Sequence, residues 1–144
     1  MRKLIFLSIF SILFGGGIYI AFRTTGILFF RWLDYLLLIE PIESLREVTL
    51  TYRLFLPNWF LYCLPDGLWM FSYSCIVLVI WDGKITKNSL FWLISLPLIS
   101  VFCEILQYYH YINGTFDMVD IILFIFGSLL PIFINQKMKN EKSI

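Results

Sequence analysis

The chain has 144 residues, 60% of them hydrophobic and 19% aromatic, with 15% charged and a formal net charge of +1. This length suits one domain, and the composition excludes an ordinary soluble one, whose core could not take up so much apolar surface. A near-neutral balance, with no basic run interleaved with aromatics, gives no reason to expect nucleic acid, and lipid is the natural surrounding.

Met1-Arg2-Lys3 precedes an apolar run from Leu4 to Phe22, long enough to cross a hydrocarbon core of about 30 Å. It is too long for a signal-peptide core and no small-residue cleavage site follows, so it reads as a retained first span over 4–22. Gly15-Gly16-Gly17 would give it a smooth face for close packing. Residues 23–65 mix Arg23, Arg31, Arg46 and Arg53 with Asp34, Glu40, Glu43 and Glu47 among aromatics and leucines. Ile27 to Ile39 is too short and too charged to span and predicts an amphipathic helix, in the interface or over the helices. Pro41 should break it before a second amphipathic piece over 43–55.

A second span is expected over 66–82, after Pro65. Asp66 would be an N-cap or first-turn acid, and the apolar run is short for a bilayer. The third span covers 89–108 with Pro97 as a kink. After Asn113-Gly114, Thr115 or Asp117 can cap a fourth span over 117–134, leaving 135–144 as a frayed cytoplasmic tail. Every lysine falls on one side of this arrangement together with Arg2. By the positive-inside rule, both termini are cytoplasmic and the chain is multi-pass, with four spans. The expected fold is therefore all-α, one domain over 1–144: an integral-membrane four-helix bundle with an interfacial segment between its first two spans.

Ionisable residues inside apolar helices are costly and are ordinarily retained for a purpose. Glu104 and Gln107 are spaced i, i+3, and Asp117 and Asp120 repeat that spacing at the start of the next helix. Folded as a hairpin, the two pairs can face each other, with Asp66 closing the group from the second span. The competing reading is structural: Asp117 as a helix cap, and Glu104 as interhelical glue paired with one of the loop arginines. His110, the only histidine, reads as an interfacial residue, and a divalent cation held by Glu104, Asp117, Asp120 and His110 is the weaker alternative. Cys63, Cys75 and Cys103 lack metal-like spacing and read as small apolar residues. No catalytic set, resident metal or cofactor is assigned.

The series Glu104-x-x-Gln107, Thr115-Phe116-Asp117-x-x-Asp120 and Gly127 resembles the signature of VanZ-like membrane proteins. In that family an E-x-x-Q on one helix is followed by an R-x-x-D-x-x-D turn, then by Asn and Gly further down the next helix. Pro65-Asp66 and Tyr73 resemble the start of its second span. The chain has Gly114 where the family has Arg, Phe124 where it has Asn, and Met70 where it has His. The resemblance implies a four-helix fold in a bacterial inner membrane and an envelope role, the family being linked to glycopeptide (teicoplanin) resistance.

Two functions follow as expectations. In the first, an outward-facing acidic recess of Glu104, Gln107, Asp117, Asp120 and Asp66 binds an envelope lipid, a glycan precursor or a cation. In the second, the chain is a non-catalytic accessory subunit of a larger membrane complex, with Trp32, Phe55, Trp59 and Phe60 as anchors for a protein partner. Membrane lipids are partners in either case.

Overall fold

The computed structural model describes residues 1–23, 28–35 and 39–141, and every regular element among them is helical. In chain order these are α1 (Arg2–Phe22), α2 (Leu28–Tyr35), α3 (Ile39–Tyr52), a 3-10 turn (Arg53–Phe55), α4 (Asn58–Tyr62), α5 (Leu64–Ile80), α6 (Lys87–Tyr108) and α7 (Met118–Asn140). Helices α1, α6 and α7 are long and apolar enough to cross a membrane. At 1.5 Å per residue they run about 32–35 Å. Large apolar side chains point outward along them: Leu13 is 68% exposed, Leu98 64% and Phe126 65%. A surface of that kind fits lipid, because water would leave it as one large exposed apolar patch.

Helix α5 has 17 residues, about 26 Å, and is the short apolar helix the sequence predicts. It lies against both α1 and α7 and buries Met70, Phe71, Cys75, Val77 and Leu78. Leu4, at the start of α1, packs with Cys75 and Leu78 near the end of α5 and with Leu93 early in α6, while Ile134 and Met138 of α7 close the cluster. Consecutive helices among these four therefore alternate in direction. Their opposite ends, at Arg23, Asp66, Glu104 and Asp117, also meet, and the recess described below lies there.

Close approach of α5 to α7 rests on two glycines. A Cβ at Gly127 would stand 2.5 Å from the Gly67 carbonyl oxygen, and one at Gly67 would stand 2.9 Å from Leu123 Cβ. Against α1, Gly15 sits under the Trp69 indole and the Pro65 carbonyl, whereas Gly16 and Gly17 meet nothing within 4 Å. The packing face expected of all three glycines thus belongs to Gly15, since successive helix residues point about 100° apart and only one can face α5. Ser8 and Ser72 bridge the same pair of helices, with hydroxyls 2.8 Å apart and Ser72 donating to the Ser8 carbonyl at 3.0 Å. In lipid such interhelical bonds add about 0.6 to 2 kcal/mol.

Several boundaries differ from the sequence reading for identifiable reasons. Pro41 does not separate two amphipathic pieces; it lies in the first turn of α3, where its missing N–H costs nothing. The expected tail is helical to Asn140. There Asn135 is buried and donates to the Gly83 carbonyl at 2.9 Å, joined by Lys139 Nζ at 2.6 Å, so side chains beyond the apolar run tie α7 to the α5–α6 turn. Asp66 is a first-turn acid of α5 and not its N-cap, because the helix starts two residues earlier, at Leu64.

The last turn of α1 leaves carbonyls without helical donors. Arg46 of α3 donates to the carbonyls of Ile20 and of Arg23, the latter at 2.6 Å, and Thr49 donates to Ala21 at 3.1 Å. A cation at a helix C-terminus also meets the negative end of the dipole. Burial and the nearby Arg53 lower the Arg46 guanidinium from its ordinary value, and Glu43 opposes them. Among the four arginines of the loop, Arg46 thus caps α1 and Arg53 bonds the Tyr62 hydroxyl, so neither is spent on Glu104.

Candidate functional site

Where the four helix ends meet there is a recess of about 500 Å³. Asp66 of α5, Glu104 and Gln107 of α6, Asp117 before α7 and Asp120 in its first turn all line it. The residues singled out by spacing in the sequence are thus brought together by three helices. Arg23, Asn58, Tyr62, Cys63, Gly114 and Thr115 complete the wall.

Each acid is positioned by local geometry. Asp117 has extended backbone and caps α7, its Oδ1 accepting from the Val119 N–H at 2.9 Å. Its own N–H donates to Glu104 Oε2 at 3.2 Å, which ties the end of α6 to the start of α7. Glu104 is only 6% exposed. The structural reading of these two acids, cap and interhelical tie, is therefore visible in the bonds, but it uses one oxygen of each. Gln107 lies over the turn: a Cβ at Gly114 would stand 2.5 Å from its Cδ, and Gly114 adopts φ +149°, a conformation suited to glycine.

Arg23 brings a positive charge to this wall. Its guanidinium lies 5.3 Å from the Tyr19 ring centroid and 5.0 Å from that of Tyr62, within cation–π range, and its charge acts on Asp66 and Asp120. Of the three buried side-chain polar atoms without a hydrogen-bond partner among the described residues, one is Ser74 Oγ on α5, and two belong to this wall: Arg23 Nε and Asp120 Oδ1. Buried polar atoms are nearly always bonded, so these two mark where a further group would be stabilised.

Cys63 is buried and donates to Asp117 Oδ2 at 3.4 Å. Burial, reinforced by the carboxylates of Asp120 and Asp117, pushes its thiol up from the ordinary value. It is therefore a protonated, weak hydrogen-bond donor and not a ready nucleophile. Sulfur and one oxygen each of Asp117 and Asp120 lie within 4.8 Å of one another, a set of the kind that can hold a cation. The set weighed from sequence with His110 does not assemble. His110 is exposed at φ +58° in the turn after α6 and is not part of the recess wall.

Sequence reasoning missed Cys63, Asn58 and Tyr62. Nothing in their spacing sets them apart, and only the packing of α4 beside α5 brings them to the acids. Arg23 carries a signal, a lone cation at the end of an apolar run, and is one of the loop arginines weighed as a partner for Glu104; its charge acts on Asp66 and Asp120 instead. Of the residues expected to anchor a protein partner, Phe55, Trp59 and Phe60 lie apart from the recess wall. Phe55 is 83% exposed and Trp59 47%, Phe60 is half-buried with an edge contact to Trp59, and the Trp32 side chain lies outside the described residues. No protein-family model, curated protein or solved structure matches the chain.

Proposed function

We propose that the chain is a bacterial inner-membrane protein, VanZ-like in fold, in which α5 crosses the bilayer as a fourth span and both termini are cytoplasmic. Its recess then opens toward the envelope and binds a polar ligand: the headgroup of an envelope lipid, a glycan precursor or a cation. One observation carries the reading: four acids and a glutamine, separated by up to 54 residues, line one recess of about 500 Å³ together with Arg23. That volume suits a headgroup or sugar unit better than a bare ion. Lysines cluster at the opposite helix ends, which supports the orientation. Arg23 also supplies a cation that the resembled pattern would place at position 114, where the Gly114 backbone and Gln107 leave no room for a side chain.

A carboxylate oxygen left without a donor, as Asp120 Oδ1 is, favours ligands rich in donors, such as ammonium or hydroxyl groups, and the Arg23 guanidinium suits an anionic group on the same molecule. Expression of the chain in a glycopeptide-sensitive bacterium should lower teicoplanin susceptibility. Glu104→Gln with Asp117→Asn, which keeps shape and one acceptor oxygen at each position but removes charge, should abolish that protection at equal membrane abundance. Protection by the double variant equal to the unaltered chain would exclude the recess as its cause.

A further inference from the structure

Helix α3 divides its surface into three stripes. Ile42, Arg46 and Thr49 recur at i, i+4, i+7 and turn toward α1, where the hydrogen bonds to Ile20, Ala21 and Arg23 fix the roll of the helix. Leu45, Val48 and Tyr52, continued by Phe55 in the 3-10 turn, make a second stripe and are 53%, 63%, 60% and 83% exposed. Glu40, Glu43 and Glu47 make the third, all exposed. Since the first stripe is pinned, the apolar stripe cannot roll inward to hide.

The apolar surface does not stop at α3. Leu54 is 91% exposed, and beyond it Leu56 and Phe60 form a groove with Leu13, Phe14, Phe22 and the buried Ile18 of α1. The exposed stripe is thus continuous with the flank of a helix long enough to span a membrane, and it sits level with the end of that helix. Segregation of apolar and acidic residues onto separate faces beside a span is the pattern of a helix lying in a lipid interface.

We propose that α3 and the 3-10 turn dock on the membrane surface, seating Leu45, Val48, Tyr52 and Phe55 in the leaflet at the C-terminal end of α1, with the glutamates toward water. This rests on the reading that the long helices span the bilayer. The attraction is apolar, because the neighbouring glutamates repel anionic headgroups, so zwitterionic lipid suffices. Docking also positions the recess: Arg46 holds the Arg23 carbonyl, and the Arg23 side chain forms part of the recess wall.

The test uses the full chain in phosphatidylcholine vesicles, with Cys103→Ala and a nitroxide attached at Val48→Cys, Glu47→Cys or Leu98→Cys. Collision with oxygen, which concentrates in lipid, is compared with collision with a water-soluble nickel chelate. Leu98, on the outward side of α6, reports on spanning itself. The expected result is oxygen-dominated collision at Leu98 and Val48 and a several-fold lower oxygen-to-nickel ratio at Glu47. Lipid contact at Leu98 with Val48 as water-exposed as Glu47 would overturn the docking and leave the spans intact. Val48 shielded from both reagents would overturn it in favour of a protein covering. A nickel-dominated Leu98 would overturn the spanning reading, and the docking with it.

Discussion

Alanine at Gly127 destabilises the protein by about 1–3 kcal/mol, the range for forcing an extra group into a packed contact. Its Cβ would lie 2.5 Å from the Gly67 carbonyl oxygen and 3.1 Å from the Phe71 nitrogen. Both neighbours are backbone, so no side chain can swing away and α5 and α7 must part. That separation would loosen the contact through which α5 stands between α1 and α7. Gly16→Ala is the matched control, since its Cβ meets nothing within 4 Å and alanine favours the helix, for a change of less than about 1 kcal/mol. Thermal unfolding of both variants in the same mild detergent compares them, and a Gly127→Ala protein as stable as Gly16→Ala would show that the α5–α7 contact is looser than described.

Glu104→Ala gives the second large effect. The Asp117 N–H loses its acceptor in a part-buried setting, which costs about 1–3 kcal/mol, and the vacated volume adds to it. Glu104→Gln keeps a carbonyl oxygen for that N–H and should unfold close to the unaltered protein. Limited proteolysis in the 109–117 turn should rise in the alanine variant only. The contrast separates the two roles of Glu104, because the tie to α7 needs an oxygen whereas ligand binding needs the charge. Equal loss of stability in both variants would mean that the carboxylate charge itself holds the hairpin together.

How much of this was legible follows from which forces act locally. Long apolar runs announce α1, α6 and α7, and the shortness of the run after Pro65 announces α5. The recess acids were legible because i, i+3 spacing places Glu104 with Gln107, and Asp117 with Asp120, before any tertiary contact forms. What failed was what depends on a partner helix. Gly15, Gly16 and Gly17 look alike in sequence, and only the position of Trp69 separates the first from the others. Residues 135–140 look like a polar tail, and their helix is anchored by a carbonyl 52 residues away in sequence, at Gly83. Cys63 looks apolar until α4 and α5 bring it beside Asp117. Arg46 looked like any loop charge, and its use at the end of α1 was invisible without the fold.

The recess is tested most directly by native mass spectrometry of the chain released gently from its own membrane, beside the variant carrying Glu104→Gln and Asp117→Asn. The recess reading predicts one discrete lipid-like or polar adduct per chain on the unaltered protein, and a bare chain for the variant. A bare unaltered chain, or a fixed complex with another protein and no such adduct, would contradict it.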